Sequence, residues 1–381
     1  MRRLPIILTI ALLSVSQVMA QDQEILYFAD FEEGSHDFTS GDPVAELSIT
    51  HDPDLVFAGD GSLQLSYVQA PMYTDMPDWG VPGALVLPFP DSAAGLGEVA
   101  FALRSRIATP VVVMLVEGED GPRYNCLVWC SADEWNEYSL TPDDFTYDRE
   151  SPTDPNGRLD LEQTAGIALI DADCIVRGIA EASPLFHIEP AAEQSLWLDE
   201  FTLRSGSPAP STDDDPLALA QYSPPMRGFL ALGGRDLRIS SEPLAENGFA
   251  LRADYTTPAT TLFGLMHTIR PGALVDAEAV RFQAKTNRAV TLIVVIEERR
   301  GPDDNLDVSR YQTLVELEPS EEFEMLTLPL SLFTLGDDQT DPDGALDAEL
   351  VDTFSIADAT ALLENAEVIN TLRLQAPVVV E

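Results

Sequence analysis

The sequence predicts an all-β protein: two tandem antiparallel β-sandwich domains of the jelly-roll type, placed after an export signal. Three observations carry this prediction. Blocks of the first half return in the same order in the second half. The apolar residues fall in short runs with the two-residue period of strands, and helical periods are few. Pro, Gly, Asn and Asp interrupt the chain often, as in folds made of many short strands.

Residues 1–20 read as a signal peptide, with Arg2 and Arg3 before the apolar run "LPIILTIALLSV" and small residues at "VMA". The run is too short for a membrane span, and no second long apolar run follows, so the expectation is export to the periplasm or the extracellular space. The first domain covers residues 22–205. Residues 206–217, rich in Ser, Pro and Asp, read as a solvated linker. The second domain covers 218–381.

The repeat is visible in several places. "DPNGRLD" at 154–160 returns as "DPDGALD" at 341–347, a shift of 187. The same shift relates "RY" at 123–124 to "RY" at 310–311, and Asp171 in "LIDA" to Asp358 in "IADA". "WNEYSLTPDDF" (135–145) matches "FEMLTLPLSLF" (323–333), with Trp135 over Phe323, and "VAFALRS" matches "VRFQAKT". A constant shift in several blocks signals duplication. The repeated heptad itself reads as a turn, in which Pro fixes φ, Gly supplies positive φ and Asp or Asn bonds its own backbone. Within each copy, "EVAFALRSR" places Val99, Phe101 and Leu103 on one face. "PVVVMLVE" and "TLIVVIEE" read as strands buried on both sides. "IADATALLENAE" (356–367) is the best helical candidate. Immunoglobulin-like sandwiches are near 100 residues, shorter than either half, which favours a jelly roll.

The chain of 381 residues holds 21 Lys+Arg against 65 Asp+Glu, a formal charge of −44. That excludes nucleic acid, which needs basic patches, and anionic membrane surfaces. The three cysteines are Cys126, Cys130 and Cys174. The first two sit four apart on one strand face, too far for a direct bridge. Cys174 can pair with either in an oxidising compartment. The four histidines show no zinc spacing. No nucleophile elbow, zinc-protease helix, P-loop or dinucleotide fingerprint occurs, and the chain reads as no enzyme.

The order "FADFEEG", "GDGSLQLSY", "FALRS", "VVVMLVEGEDG", "EWNEYSLTPDDF", "DPNGRLDLEQTAGIALID" and "LWLDEFTL" resembles galactose-binding-like jelly rolls, in particular family 11-type carbohydrate-binding modules. The resemblance spans about Ile25 to Arg204. It implies that the first and last strands of the first copy run side by side with a structural calcium ion at their shared end. Asp30, Glu32 and Asp199 would hold it, with Asp60 and the backbone around Gly59 and Gly61. In the second copy the aligned positions read Ala231, Gly233 and Asn370, so one ion in the first copy is expected. The resemblance further implies a glycan partner for the first copy. Pyranose rings pack their C–H groups on aromatic faces, and Tyr73 and Trp79 stand in a loop, with Arg123 and Tyr124 as further candidates. Trp135 and Trp197, matched to Phe323 and Val368, read as core. The second class of function is a secreted structural or adhesion protein that uses the same sandwich to hold a protein partner at the cell surface. An exposed aromatic shelf favours the first, an apolar patch between copies the second.

Overall fold

A computed structural model describes residues 24–70, 83–89, 93–118, 121–148, 150–182, 184–206, 218–244, 248–270, 272–300, 308–337, 339 and 341–380. The signal segment, nearly all of the linker, and Tyr73 and Trp79 lie outside these residues.

The first copy comprises β1 (Ile25–Ala29), β2 (Thr39–Ser40), β3 (Glu46–Thr50), β4 (Ser62–Val68), β5 (Ala84–Pro88), β6 (Leu96–Ser105), β7 (Thr109–Glu117), β8 (Arg123–Cys130), β9 (Asn136–Leu140), β10 (Thr146–Tyr147), β11 (Thr164–Asp171), the helix α1 (Ala172–Ala182) and β12 (Glu193–Ser205). The second comprises β13 (Leu230–Gly233), β14 (Arg235–Pro243), β15 (Phe249–Thr257), β16 (Phe263–Thr268), β17 (Ala279–Thr286), β18 (Val290–Arg299), β19 (Val308–Leu317), β20 (Glu324–Pro329), β21 (Thr334–Leu335), β22 (Val351–Asp358), α2 (Thr360–Glu364), β23 (Val368–Gln375) and β24 (Val378–Val380).

Each copy is a sandwich of two antiparallel sheets. Sheet I runs β3-β4-β12-β6-β9 with β1 beside β12, and sheet II runs β10-β8-β7-β11-β5-β2. Sheet III runs β14-β15-β23-β17-β20 with β24 beside β17, and sheet IV runs β21-β19-β18-β22-β16-β13. The strand orders of II and IV superpose term by term. Alternation along each strand builds a separate core in each copy. Leu65, Val99, Phe101, Leu103 and Phe201 pack in the first, and Leu251, Val280, Phe282, Val294 and Phe354 in the second. Each such side chain stabilises its fold by roughly 1.5–3 kcal/mol through removal from water.

The matched motifs are matched contacts. Tyr124 and Tyr311 donate their hydroxyls to Asp154 and Asp341, the first residues of the two heptads. Glu117 and Glu298 accept the N–H of Asp160 and Asp347, the last residues. Each turn is therefore clamped at both ends by its own sandwich. Asp171 is fully buried and accepts bonds from the Tyr67 hydroxyl at 2.5 Å, the Gln69 amide at 3.0 Å and the Thr109 hydroxyl. Asp358 accepts from Tyr255 at 2.7 Å and Asn370 at 3.2 Å.

Several sequence expectations are corrected. β7 is buried on both faces, but β18 alternates between buried and half-buried residues. The long helix is α1, in the first copy, where none was expected; α2 falls where the helical pattern was read. "LALG" at 230–233 does not replace β1. It pairs with β16, in the place of β2. The counterpart of β1 is a single bridge from Ala218 to Val378, which sets Ala220 and Tyr222 opposite Asp30 and Glu32, instead of Ala231 and Gly233. The register of the closing strands equates Gln194 with Asn370, Trp197 with Arg373 and Asp199 with Gln375. The pairings of Asp199 with Asn370 and Trp197 with Val368 are therefore replaced. All three cysteines are buried and free, so Cys174 makes no bridge. Burial pushes the Cys126 and Cys130 thiols up to about 12, which leaves them unreactive at neutral pH.

The copies are joined by more than the linker. The outer face of sheet II (Val112, Met114, Leu127, Ile170) packs with Val176 of α1 against Leu230 and Leu232 of β13. The N–H of Gly228 donates to the Leu127 carbonyl at 2.8 Å, and that of Trp129 to the Met226 carbonyl at 2.9 Å. The Trp129 ring stacks on Phe229 at 5.8 Å. This contact covers the second face of β7.

Candidate binding cleft

A cleft of about 2250 Å³ opens along the outer face of sheet I. Its floor follows from strand register. Thr202, Ala100 and Ser139 form one row across β12, β6 and β9, and Asp199, Ala102 and Glu137 form the next. Alanine at both β6 positions leaves the floor low. A third row, Arg204 and Glu98, is an ion pair at 2.9 Å, and Ser139 Oγ donates to Glu98 at 2.5 Å. Phe57 closes one end and is 38% exposed; its ring packs on Trp135 at 5.6 Å. The second copy supplies the opposite wall through Gln221, Ser223, Arg227 and Arg270. Arg227 reaches Asp144 at 3.2 Å and Arg270 donates to the Asp143 carbonyl, so both bind the wall to the first copy. Glu137 and the Glu200 side chain make no ion pair with any described residue. The cleft thus offers hydroxyls, carboxylate acceptors, a small-residue floor and an aromatic ring at its rim, Phe57, with its arginines already engaged.

Sequence-selected residues gather beside this cleft, at the shared end of β1 and β12, which do pair. Asp199 accepts the N–H groups of Phe57 at 2.9 Å, Ala58 at 3.1 Å and Glu200 at 2.8 Å. Glu32 accepts the Asp60 N–H at 2.6 Å. Asp30 lies 3.2 Å from His36 Nε2. Gly59 (φ +69°) and Gly61 allow the close approach, since a Cβ at Gly59 would collide with Glu32 and one at Gly61 with the Phe31 carbonyl. Burial raises the Asp199 pKa, and repulsion from Glu32 adds to it against the three N–H bonds. Glu200 is raised by burial and then by Asp199, Asp30 and Glu32. The four carboxylates therefore share one neighbourhood. As they stand Asp30, Glu32 and Asp199 accept backbone N–H groups, and among the described residues no group of three or more His, Cys, Asp or Glu side chains could hold a metal ion.

The other selected residues serve structure. Tyr124 is buried in the first core with its hydroxyl on Asp154, so it offers no ring face to a sugar, contrary to the sequence reading. Arg123 pairs with Asp148 at 3.0 Å beside the heptad turn. Trp197, read as core, is indeed buried, but on the outer face of sheet I, where Arg104 covers it at 5.8 Å from the ring centre. Trp135, also read as core, is half-buried behind Phe57. Sequence reasoning missed Phe57, Ala100 and Ala102. The match of "VAFALRS" to "VRFQAKT" carried the signal: Ala100 and Ala102 stand over Arg281 and Gln283, so one face is cleared in one copy only.

No protein-family model matches the chain, and no curated protein does. Among solved structures, it is similar to a family 11 carbohydrate-binding module from Clostridium thermocellum in complex with a β-1,3-1,4-mixed-linked tetrasaccharide. The match has 15% identity and a TM-score of 0.33 and covers 40% of this chain and 88% of that one. It is similar to the N-terminal CBM22-1–CBM22-2 tandem domain of Paenibacillus barcinonensis Xyn10C, with 13% identity and a TM-score of 0.30, over 90% of this chain and 99% of that one. An endo-β-1,4-glucuronan lyase from the fungus Trichoderma reesei also matches, with 9% identity and a TM-score of 0.30, over 48% of this chain and 96% of that one.

Proposed function

We propose that the chain is an exported, non-catalytic glycan-binding protein that holds a sugar chain in the cleft on sheet I. One observation carries this reading: the outer face of the first copy is cleared to Ala100 and Ala102 beneath the rim ring of Phe57, where the second copy fills the same positions with Arg281 and Gln283. A pyranose packs its C–H face on Phe57 while Ser139, Thr202, Glu137 and Glu200 accept or donate to its hydroxyls. Arg204 and Arg227 are paired with Glu98 and Asp144, and Arg270 is held by the Asp143 carbonyl. Glu137 and Glu200 carry charge into the cleft, which favours a neutral glycan over an acidic one. Tyr73 and Trp79 stay candidates for the same ligand.

Affinity electrophoresis of the full chain through neutral β-glucans, xylan and mannan tests this. Retardation by at least one polymer, lost in Phe57→Ala, supports it. Free migration through all of them, or equal retardation of the variant, sinks it.

Calcium belongs to this proposal only at the corner of Asp30, Glu32, Asp60 and Asp199, where an ion would relieve the repulsion that raises Asp199 and Glu200. Glu32 would have to exchange the Asp60 N–H for the ion. A chelator is then expected to lower the Tm of the first copy, and an unchanged Tm removes calcium from the proposal. The second reading, a structural or adhesion protein with a protein partner, is favoured by the apolar cluster between the copies, which fixes their arrangement.

A further inference from the structure

The chain is short of cations, yet five of its 21 Lys+Arg stand on the outer face of sheet III: Arg238, Arg252, Arg281, Lys285 and Arg373. Register places Arg252, Arg373 and Lys285 directly across from one another on β15, β23 and β17, with Ser240 next in the row. Arg281 lies on the same face of β17 and Arg238 on the same face of β14. Like charges directly opposite destabilise a sheet, so folding alone gives no reason for the row. Its neutralisation within the protein is partial. Asp254 holds Arg252 at 2.9 Å and Glu242 holds Arg373 at 2.7 Å. Lys285 donates to the Glu321 carbonyl at 2.9 Å and lies 5.5 Å from the centre of the Phe323 ring. Arg238 and Arg281 form no ion pair with any described residue.

We propose that this face is a second binding surface, for a linear acidic polysaccharide bearing uronate groups. Three features select that partner. The cations recur across strands at the interstrand spacing of about 4.8 Å, close to the interval at which pyranose units follow one another in an extended chain. Guanidinium groups receive carboxylates through paired hydrogen bonds. The Phe323 ring at the end of the row offers an apolar face for a sugar. The net charge of −44 repels a polyanion from afar, but at physiological salt that repulsion is screened beyond roughly 8 Å, and the local row decides. The row lies beside the cleft on sheet I and outside its lining: Gln375 and Val378, on the same face of sheet III, border the cleft, while Arg238, Arg252, Arg281, Lys285 and Arg373 do not line it.

The test is affinity electrophoresis of the full chain through polygalacturonate at about 0.15 M salt, with chelator present so that no calcium bridges polymer and protein. The wild type is expected to be retarded. The double change of exposed Arg281→Ala with half-buried Lys285→Ala, checked for an unaltered thermal transition, is expected to weaken binding about tenfold, and Phe57→Ala to leave it unchanged. Free migration of the wild type overturns the proposal. So does equal retardation of the double variant, or displacement of the polymer by poly-glutamate at matched charge, which would point to an acidic protein instead.

Discussion

One cross-sheet row, read in both copies, shows how the duplicated sandwich diverged. In the first copy it runs Ser48, Gln64, Trp197, Arg104, with Trp135 one place beyond the last paired strand. In the second it runs Ser240, Arg252, Arg373, Lys285, with Phe323 in the same final place. The residues of the same strands that point inward stay apolar in both, because each must fill its core at close packing. The outward residues carry no such constraint, and there a polar and aromatic row became a basic one. β7 and β18 give the complementary lesson. Val112 and Met114 on β7 answer to Ile293 and Val295 on β18. The first pair is buried against the second copy, whereas the second pair is half-buried. Across the hydrogen-bonded neighbours, Leu127 is buried while Leu314 is 65% exposed.

The largest test of the equivalence concerns the buried acids. Asp171→Ala removes the acceptor of three side-chain hydrogen bonds, and Asp358→Ala that of two. At about 1 kcal/mol or more per lost bond, urea unfolding is expected to show losses of roughly 3 and 2 kcal/mol, the first copy suffering more. Equal or reversed losses break the match between the two networks. Next comes the contact between the copies. Met114→Ala is expected to cost about 2 kcal/mol, and Val295→Ala under about 1 kcal/mol. Equal effects would mean that the interface does not bury β7 in solution. A sharper, smaller test moves one residue of the second copy into the first. Ala100→Arg copies Arg281 onto the half-buried floor position of the cleft and is expected to weaken neutral-glycan binding about tenfold, near 1.4 kcal/mol, with an unchanged unfolding midpoint.

The smallest effect is electrostatic. Glu200 is raised above its ordinary value by burial and by its acidic neighbours, so the native state holds this proton more tightly than the unfolded chain. Its contribution is full below the ordinary carboxylate pKa and falls as pH rises through the raised native value. Asp254 shows the opposite sign. Burial pushes it up, but its bonds to Arg252 and Thr371 outweigh that and lower it, so its stabilisation is present at neutral pH and fades in acid. Glu200→Gln is expected to raise neutral-pH stability by a few tenths of a kcal/mol after solvent screening and to steepen the acid limb of the Tm profile, because the proton that Glu200 holds in acid no longer offsets the loss there. An unchanged profile would place the charge crowding elsewhere.

Strand patterns and the constant shift made the two sandwiches legible, because core alternation and turn chemistry are local and were inherited together. The shift misled only where lengths changed. Between β22 and β23 the second copy replaces the 11-residue α1 with the 5-residue α2, so the closing strands slip, and Asp199 and Trp197 found the wrong partners. α1 went unread although its start just after Asp171 matches the start of α2 just after Asp358. The shared corner of Asp30, Glu32 and Asp199 was legible from the pairing of first and last strands. The cleft was not, since its floor is defined by two alanines and one wall by the second copy. Tyr124 was misjudged because an aromatic ring beside a turn reads alike whether it anchors the turn or faces solvent.

In the first copy β1 lies beside β12, and in the second the Leu219 N–H donates to the Pro377 carbonyl at 2.8 Å. The chain thus enters and leaves each sandwich through neighbouring doors. A unit with adjacent ends can be spliced in tandem, or have its old ends joined and new ones cut elsewhere, without any strand having to cross the body of the other. That geometry explains why doubling the gene for one such unit could yield a working pair at once, and why further beads could be strung on the same way.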